Sequence, residues 1–140
     1  MEINAKKKQV DVLILDDDDV SNFIYKKIIE SSGIANNIVT FQKGRLAIEY
    51  LADKASSSDS FPDMIFIDIN MPVMNGWDFL DEYKEKIAPR VDKFVFISML
   101  SSSVYKEDIQ KAQGYDVVNE YISKPLTQEG VSELIQKYFS

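Results

Sequence analysis

The sequence contains no cysteine and no histidine among its 140 residues. Without cysteine there is no disulfide, no thiol nucleophile and no thiolate ligand for zinc. Without histidine there is no histidine general base, no catalytic triad built on one and no histidine metal ligand. Any chemistry of this chain must therefore use carboxylates, hydroxyls, lysines and a hard cation.

The sequence also lacks long apolar runs and an excess of positive charge. No apolar run approaches the roughly 18 residues of a spanning helix, and no apolar stretch follows the lysines at 6–8 as it would in a signal peptide. The 16 basic residues stand against 23 acidic ones, a net charge of −7, which argues against a nucleic-acid surface. We therefore expect a cytoplasmic protein with no membrane and no nucleic-acid partner.

Short apolar runs alternate with amphipathic segments, a pattern typical of βα units around a parallel sheet. Strands are predicted over residues 10–15, 38–41, 64–67, 94–100 and 120–123. Because these runs are almost continuously hydrophobic, helices should cover both faces of the sheet. The predicted fold class is α/β, with residues 1–9 a flexible N-terminal segment and residues 10–140 one domain.

Polar side chains follow the predicted strands, at the edge where open α/β sheets bind their ligands. They are Asp16, Asp17, Asp68, Asn70, Ser101 and Lys124. Clustered carboxylates repel one another and raise each other's pKa, and Mg²⁺, which prefers oxygen ligands, relieves that repulsion. Mg²⁺ and Lys124 would balance three aspartates, leaving a site suited to a phosphoryl group and to a carboxylate nucleophile.

Four motifs at these strand ends resemble the receiver domain of two-component response regulators. They are LILDDDDV (residues 13–20), PDMIFIDINMPVMNG (62–76), FISMLSSS (96–103) and YISKP (121–125). The resemblance covers about residues 10–139 and implies a flavodoxin-like, doubly wound (βα)5 fold. That fold is a three-layer sandwich whose parallel five-stranded sheet has the order 2-1-3-4-5.

The resemblance also implies a role for each acidic residue. Asp68 corresponds to the aspartate that accepts the phosphoryl group, and it also contributes to the Mg²⁺ site. Asp17 is implied to ligate Mg²⁺ directly and Asp16 mostly through water, while Asn70 supplies its backbone carbonyl. The implied cofactor is therefore Mg²⁺.

The remaining implied roles concern the phosphoryl contacts and the switch. Lys124 pairs with the phosphoryl oxygens, and Pro125 follows a cis peptide bond. Ser101 is the implied switch hydroxyl, which also contacts the phosphoryl group, and Tyr121 is the switch aromatic. Ser98, 30 residues after the acceptor aspartate, competes for the hydroxyl role. We favour Ser101, which requires about three extra residues in the loop 87–93, where insertions cost little.

The implied function is that of a single-domain response regulator. It takes phosphate from a sensor histidine kinase or a phosphotransfer protein and signals to a protein target through the fourth helix, fifth strand and fifth helix. Homodimerisation is left open, and no enzymatic activity is expected beyond self-phosphotransfer and autodephosphorylation.

Three other interpretations use the same pattern. One is an aspartate-nucleophile phosphatase of the haloacid-dehalogenase type, although Asn70 stands where that family has an acid. The second is a receiver-like interaction module that works without phosphorylation. The third, a flavodoxin, lacks a phosphate-binding loop after the first strand.

Overall fold

The computed structural model describes residues 9–33, 35–57, 60–102 and 105–139. Residues 1–8 of the predicted N-terminal segment and the last residue of the FISMLSSS motif lie outside these ranges. Five strands and five helices alternate along the chain. They are β1 (Val10–Leu15), α1 (Asp19–Glu30), β2 (Ala35–Phe41), α2 (Gly44–Lys54), β3 (Met64–Asp68), α3 (Gly76–Glu82), β4 (Phe96–Ser101), α4 (Lys106–Gln113), β5 (Glu120–Ser123) and α5 (Gln128–Phe139).

The strands form one parallel sheet in the order β2-β1-β3-β4-β5. Alternate residues of the central strands bury opposite faces of this sheet. In β1, Leu13 and Leu15 pack with α2 and α3, whereas Val12 and Ile14 pack with α1 and α5. The predicted α/β fold class, the three layers and the strand order are confirmed.

Two predicted strand starts are wrong, and the third and fourth strands each end one residue later than predicted, at Asp68 and Ser101. The second strand begins at Ala35 rather than at residue 38, because it pairs with β1 from Val10 onward and Asn36 donates a hydrogen bond to the carboxylate of Asp11. The fourth strand begins at Phe96 rather than at residue 94. Phe94 is 51% exposed and stacks on the ring of Tyr138, so its apolar character serves packing outside the sheet.

Helix α3 does not end as a regular helix. It continues as a π-helical turn over Tyr83–Ile87 and a 3₁₀ turn over Ala88–Arg90, and the side chains of Tyr83 and Ile87 remain buried. A π turn accommodates additional residues within a helix, and this one lies just before the loop in which we expect the extra residues. Within the described ranges, none of the helices has the length and apolarity needed to cross a membrane.

Candidate functional site

Three aspartates converge at the carboxyl edge of the sheet. Asp16 and Asp17 directly follow β1, and Asp68 is the last residue of β3. Because β1 pairs with β3 up to Leu15 and Ile67, Asp16 lies beside Asp68. One carboxylate oxygen from each aspartate lies within 4.8 Å of the other two. No other trio of this kind occurs in the part of the chain that the structure describes.

Asp16 is held by hydrogen bonds at both its backbone and its carboxylate. Its N–H donates to the carbonyl of Phe41 at 3.0 Å, and its Oδ1 accepts the N–H of Asp18 at 2.9 Å. Its Oδ2 accepts from the ammonium of Lys124 at 3.0 Å. This buried carboxylate therefore has a fixed orientation.

Lys124 brings the only ammonium to this cluster among the described ion pairs. Its Nζ lies 3.0 Å from Oδ2 of Asp16 and 3.3 Å from Oδ1 of Asp68, and its backbone N–H donates to the carbonyl of Ser101. The peptide bond to Pro125 is cis. Although burial lowers its pKa, the hydrogen bond and charges of the two aspartates raise the pKa overall, so Lys124 remains an ammonium.

The position of Asp68 in the cluster alters its acidity. Its side chain is buried, and burial, followed by the negative charge of Asp16, raises its pKa to about 6. Lys124 acts in the opposite direction but does not compensate. One ammonium thus faces three carboxylates, and the site has an excess of negative charge that a divalent cation would neutralise.

The acidic run after β1 divides into two parts. Asp18 is the N-cap of α1, since its carboxylate accepts the N–H groups of Val20 and Ser21 and the hydroxyl of Ser21. The serine hydroxyl bond is the main reason why the pKa of Asp18 is lowered. Asp17 is exposed at the rim of the cluster. The helix is therefore capped without using the aspartates that form the cluster.

The donor set suits a hard divalent cation. It consists of carboxylate oxygens, which Mg²⁺ prefers, and the exposed position of Asp17 leaves room for the waters that Mg²⁺ retains. Asn70 is two residues beyond Asp68, exposed in the loop between β3 and α3.

The turn into α3 lies against the end of β3. The N–H of Gly76 donates to the carbonyl of Ile69 at 2.8 Å, and a Cβ at Gly76 would lie 2.9 Å from the carbonyl oxygen of Asp68. Only glycine allows this close approach. Asn75 caps the helix through a reciprocal pair of hydrogen bonds with Asp78, so the loop beyond Asp68 is fixed at both ends.

The strand register separates the two candidate switch serines. Leu100 pairs with Asp68, so Ser101, the buried last residue of β4, lies one position beyond Asp68 at the sheet edge. Ser98 pairs with Phe66 inside the sheet, and its hydroxyl donates to the carbonyl of Met99 at 3.2 Å. The register therefore favours Ser101.

Tyr121 lies on β5, the edge strand next to β4. It is half-buried and packs against the core on the face covered by α2 and α3. In the register it pairs with Met99, two residues before Ser101. Both implied switch residues therefore lie on adjacent strands near the same edge.

Sequence reasoning missed one residue that contacts this site. Asn22 lies on the buried face of α1 together with Tyr25 and Ile29, and its amide nitrogen donates to the carbonyl of Asp16 at 2.9 Å. A polar residue at the spacing of buried apolar residues in an amphipathic helix was the available signal.

Comparison with known proteins identifies the family. The sequence model of the response regulator receiver domain matches residues 12–136. A two-component response regulator from Cytophaga hutchinsonii has a similar solved structure, with a TM-score of 0.82 and 36% identity, covering 92% of this chain and 96% of that one.

Curated relatives differ widely in length. Hybrid signal transduction histidine kinase L of Dictyostelium discoideum is 33% identical over 132 residues, which are 91% of this chain but 7% of the kinase. Two-component response regulator 24 of Arabidopsis thaliana is 25% identical, with 96% of this chain and 87% of the regulator covered. The chain thus spans most of some relatives and a small part of others.

Proposed function

The chain belongs to the family of response regulator receiver domains of two-component signalling, and from that premise we propose that it accepts a phosphoryl group on Asp68. One observation carries the proposal: a buried carboxylate ends the central strand 3.3 Å from a lysine ammonium, within an acidic cluster. Receiver domains take phosphate from histidine kinases or phosphotransfer proteins. Because this sequence has no histidine, the phosphohistidine must belong to a separate protein or domain.

In the proposed reaction an oxygen of Asp68 attacks the phosphorus of the donor. The new P–O bond forms as the P–N bond to the donor imidazole breaks, and the imidazole nitrogen retains the bonding pair. Lys124 balances the negative charge of the transferred group, since its ammonium already contacts Asp68. Such a transfer depends mainly on positioning and charge neutralisation, and Lys124 supplies part of the neutralising charge.

We propose that Asp16, Asp17, Asp68 and the backbone carbonyl of Asn70 hold Mg²⁺. When bound, Mg²⁺ supplies the positive charge that the cluster lacks. Asp17 is assigned as a direct ligand, and Asp16, already hydrogen-bonded to Lys124, acts mostly through water. The excess of negative charge at the site supports this assignment.

Acetyl phosphate tests the acceptor without any partner protein. In the presence of Mg²⁺, intact-mass spectrometry is expected to show one acid-stable, base-labile phosphoryl group, which Asp68→Asn abolishes. Asp18→Asn is the matched control, because asparagine is also a good N-cap and the residue adjoins the cluster. The same adduct on the Asp68→Asn protein would show that another residue is the acceptor.

We propose that Ser101 and Tyr121 transmit phosphorylation to the surface. A phosphoryl group brings charge and strong acceptor oxygens to Asp68, and the hydroxyl at the end of β4 is positioned to move toward them. Tyr121 on the neighbouring strand then changes its packing. The expected output surface is formed by α4, β5 and α5, and a downstream protein binds there.

Amide chemical shifts with and without beryllofluoride test this switch. Shifts are expected to reach Tyr121 in the wild-type protein and to be confined to the site in Ser101→Ala. Ser98→Ala is the matched control and should behave as wild type. If wild-type shifts never reach Tyr121, the output surface lies elsewhere. Sedimentation of the same samples tests whether this face also joins two copies of the chain.

A protein donor must cover the rim of the site, and α1 provides an apolar surface there. Val20, Phe23 and Ile24 are exposed large apolar residues in its first two turns, directly after the acidic run. Neighbouring exposed apolar side chains are typical of protein interaction sites. We therefore propose that the phosphohistidine protein contacts this part of α1.

A charge on this surface distinguishes a protein donor from a small one. Phe23→Glu is expected to slow transfer from a phosphotransfer protein that phosphorylates the wild type, while labelling by acetyl phosphate is unchanged. Phe94→Glu, at an exposed aromatic of the opposite sheet edge, is the control. Equal transfer rates to both variants would place the donor elsewhere.

Two of the other interpretations predict different results in these experiments. A phosphatase would hydrolyse many molecules of a phosphate ester for each protein molecule. A phosphorylation-independent module would bind its partner equally well as wild type and as Asp68→Asn.

A further inference from the structure

Asn22 connects helix α1 to the loop that carries the acidic pair. Its side chain is on the second turn of the helix and is only 4% exposed. The amide nitrogen donates to the carbonyl of Asp16 at 2.9 Å and to the carbonyl of Phe41, the end of β2, at 3.3 Å. One side chain thus joins α1, the end of β1 and the end of β2.

The hydrogen bond from Asn22 to Asp16 affects the position of the next residue, Asp17. The carbonyl of Asp16 belongs to the planar peptide that leads into Asp17, so holding this oxygen fixes where the backbone of Asp17 begins. The opposite side of Asp16 is held as well, since its N–H donates to Phe41. The rigid core packing of α1 through Tyr25 and Ile29 supports the asparagine that holds the loop.

Asn22 has a free-energy cost in the folded protein that an apolar residue at this position would not have. Among the described residues, its Oδ1 is the one buried side-chain oxygen or nitrogen without a hydrogen-bond partner. An unpaired buried amide oxygen is unfavourable, and such exceptions in a folded protein call for an explanation. Leucine, similar in size, would fill this apolar helix face without that cost.

We propose that Asn22 is a positioning residue that holds the Asp16–Asp17 peptide so that both carboxylates face the cation. The inference rests on the proposed magnesium-dependent function. According to this proposal, the amide of Asn22 increases the affinity of the site for Mg²⁺ and contributes little to the stability of the fold.

The test compares Asn22→Leu with Asn119→Leu. Asn119 is the matched control, because its side chain also bonds to the backbone. Its amide oxygen accepts the N–H of Ile97 at 2.9 Å, near the amino end of β4 and away from the acidic cluster. By analogy with groups that orient metal ligands, Asn22→Leu is expected to weaken Mg²⁺ binding about 10- to 100-fold. Asn119→Leu should lower the unfolding midpoint while leaving Mg²⁺ affinity unchanged.

A second readout needs no metal. In EDTA, amide hydrogen exchange of Asp16 and Asp18 should accelerate in Asn22→Leu, while that of Ile29, deep in the same helix, stays unchanged. The unfolding midpoint should be no lower than that of Asn119→Leu. If Asn22→Leu fails to fold, Asn22→Ser, which retains a shorter donor, should show intermediate exchange and affinity.

Wild-type Mg²⁺ affinity and wild-type exchange in Asn22→Leu would overturn the proposal. So would an equal loss of Mg²⁺ affinity in Asn119→Leu, because the effect would then follow stability. If the wild-type protein is not phosphorylated at all, the proposed function fails, whereas the exchange result in EDTA still decides the role of Asn22.

Discussion

Strand β3 has a buried aspartate at each end, and each aspartate faces a lysine. Asp63 directly precedes the strand and lies 2.9 Å from Lys93, whereas Asp68 ends it and lies 3.3 Å from Lys124. The exposed fractions of the aspartates are 3% and 5%. Residue type, burial and partner are thus nearly the same, yet the two ends of the strand differ in charge balance.

At the amino end the groups are matched. The carboxylate of Asp63 accepts the ammonium of Lys93 and the N–H of Asp11, and its backbone bonds to both Asp11 and Phe96. Lys93 also donates to the carbonyl of Phe61 at 2.6 Å. Among the described ion pairs, Asp63 is paired with Lys93, and the pair joins the beginnings of β1, β3 and β4.

At the carboxyl end one ammonium serves three carboxylates. Removing one partner of a balanced buried pair leaves an uncompensated charge, whereas neutralising one carboxylate of an overcrowded cluster relieves repulsion. We therefore expect a buried aspartate to stabilise the fold where its donors suffice and to destabilise it where they do not. The same substitution at the two ends should therefore change the free energy of unfolding in opposite directions.

The largest effect is expected at the matched end. Asp63→Asn leaves the half-buried Lys93 without the counter-charge of Asp63 and should lower the free energy of unfolding by about 3 kcal/mol, at the lower end of values for broken buried pairs. Urea denaturation at pH 7 in EDTA measures it. A change below about 1 kcal/mol, typical of surface pairs, would mean that the Asp63–Lys93 pair does not stabilise the fold as proposed.

The same substitution at the other end should stabilise the metal-free protein. Burial and Asp16 raise the pKa of Asp68 from 3.8 to about 6, so the ionised form is disfavoured by folding. The penalty is absent below pH 3.8, develops as the pH rises toward 6, and is complete above it. Asp68→Asn should therefore raise the free energy of unfolding at pH 8 by about 1–2 kcal/mol, allowing for solvent screening.

Two conditions serve as controls for the stabilisation by Asp68→Asn. At pH 4 the gain should nearly vanish, because the wild-type carboxyl is then mostly protonated. Saturating Mg²⁺ should also remove it, because the cation compensates the cluster in the wild-type protein. A stabilisation that is equal at pH 4 and pH 8 would trace to packing and not to charge.

The acidic run allows the cluster to be compared with the helix cap beside it. Mg²⁺ at ten times its dissociation constant should stabilise the wild type by about 1.4 kcal/mol, and Asp17→Ala should abolish this stabilisation. Asp18→Ala removes the N-cap of α1, so it should lower the unfolding midpoint slightly while the gain from Mg²⁺ persists. Thermal unfolding with and without Mg²⁺ distinguishes them, and equal losses of the Mg²⁺ effect would contradict the division of roles.

Much of this arrangement could be predicted from the sequence, because its signals are local. The apolar runs and the polar residues that follow them place Asp16, Asp68 and Lys124 at one sheet edge once the sheet is parallel. Strand boundaries were less predictable. Residues 35–37 show no apolar pattern that would indicate their pairing with β1. Phe94 is apolar because its ring contacts that of Tyr138, more than forty residues later.

Other features could not be predicted because they depend on tertiary contacts. The sequence shows many aspartates, but nothing local distinguishes Asp63, which contacts Lys93, from Asp68, which shares Lys124 with Asp16. The pairing of Lys93 with Asp63 crosses 30 residues. The contact from Asn22 to Asp16 likewise requires knowing how α1 turns on the sheet.

The contacts of Glu82 with two exposed cations, Arg45 and Lys86, test whether burial or charge balance causes these effects. Glu82 on α3 forms a bidentate contact with Arg45 on α2, in which Nη1 of the arginine lies 2.8 Å from Oε1 of the glutamate. Hydrogen bonding to Arg45 lowers the pKa of Glu82 from 4.5 to about 2. The stabilisation is complete above pH 4.5 and is lost as the pH falls toward 2. Glu82→Gln should therefore cost less than about 1 kcal/mol at pH 7, as for other exposed pairs, and less still at pH 3. Urea denaturation at both pH values measures this, and a loss as large as that of Asp63→Asn would show that charge balance, without burial, determines the cost.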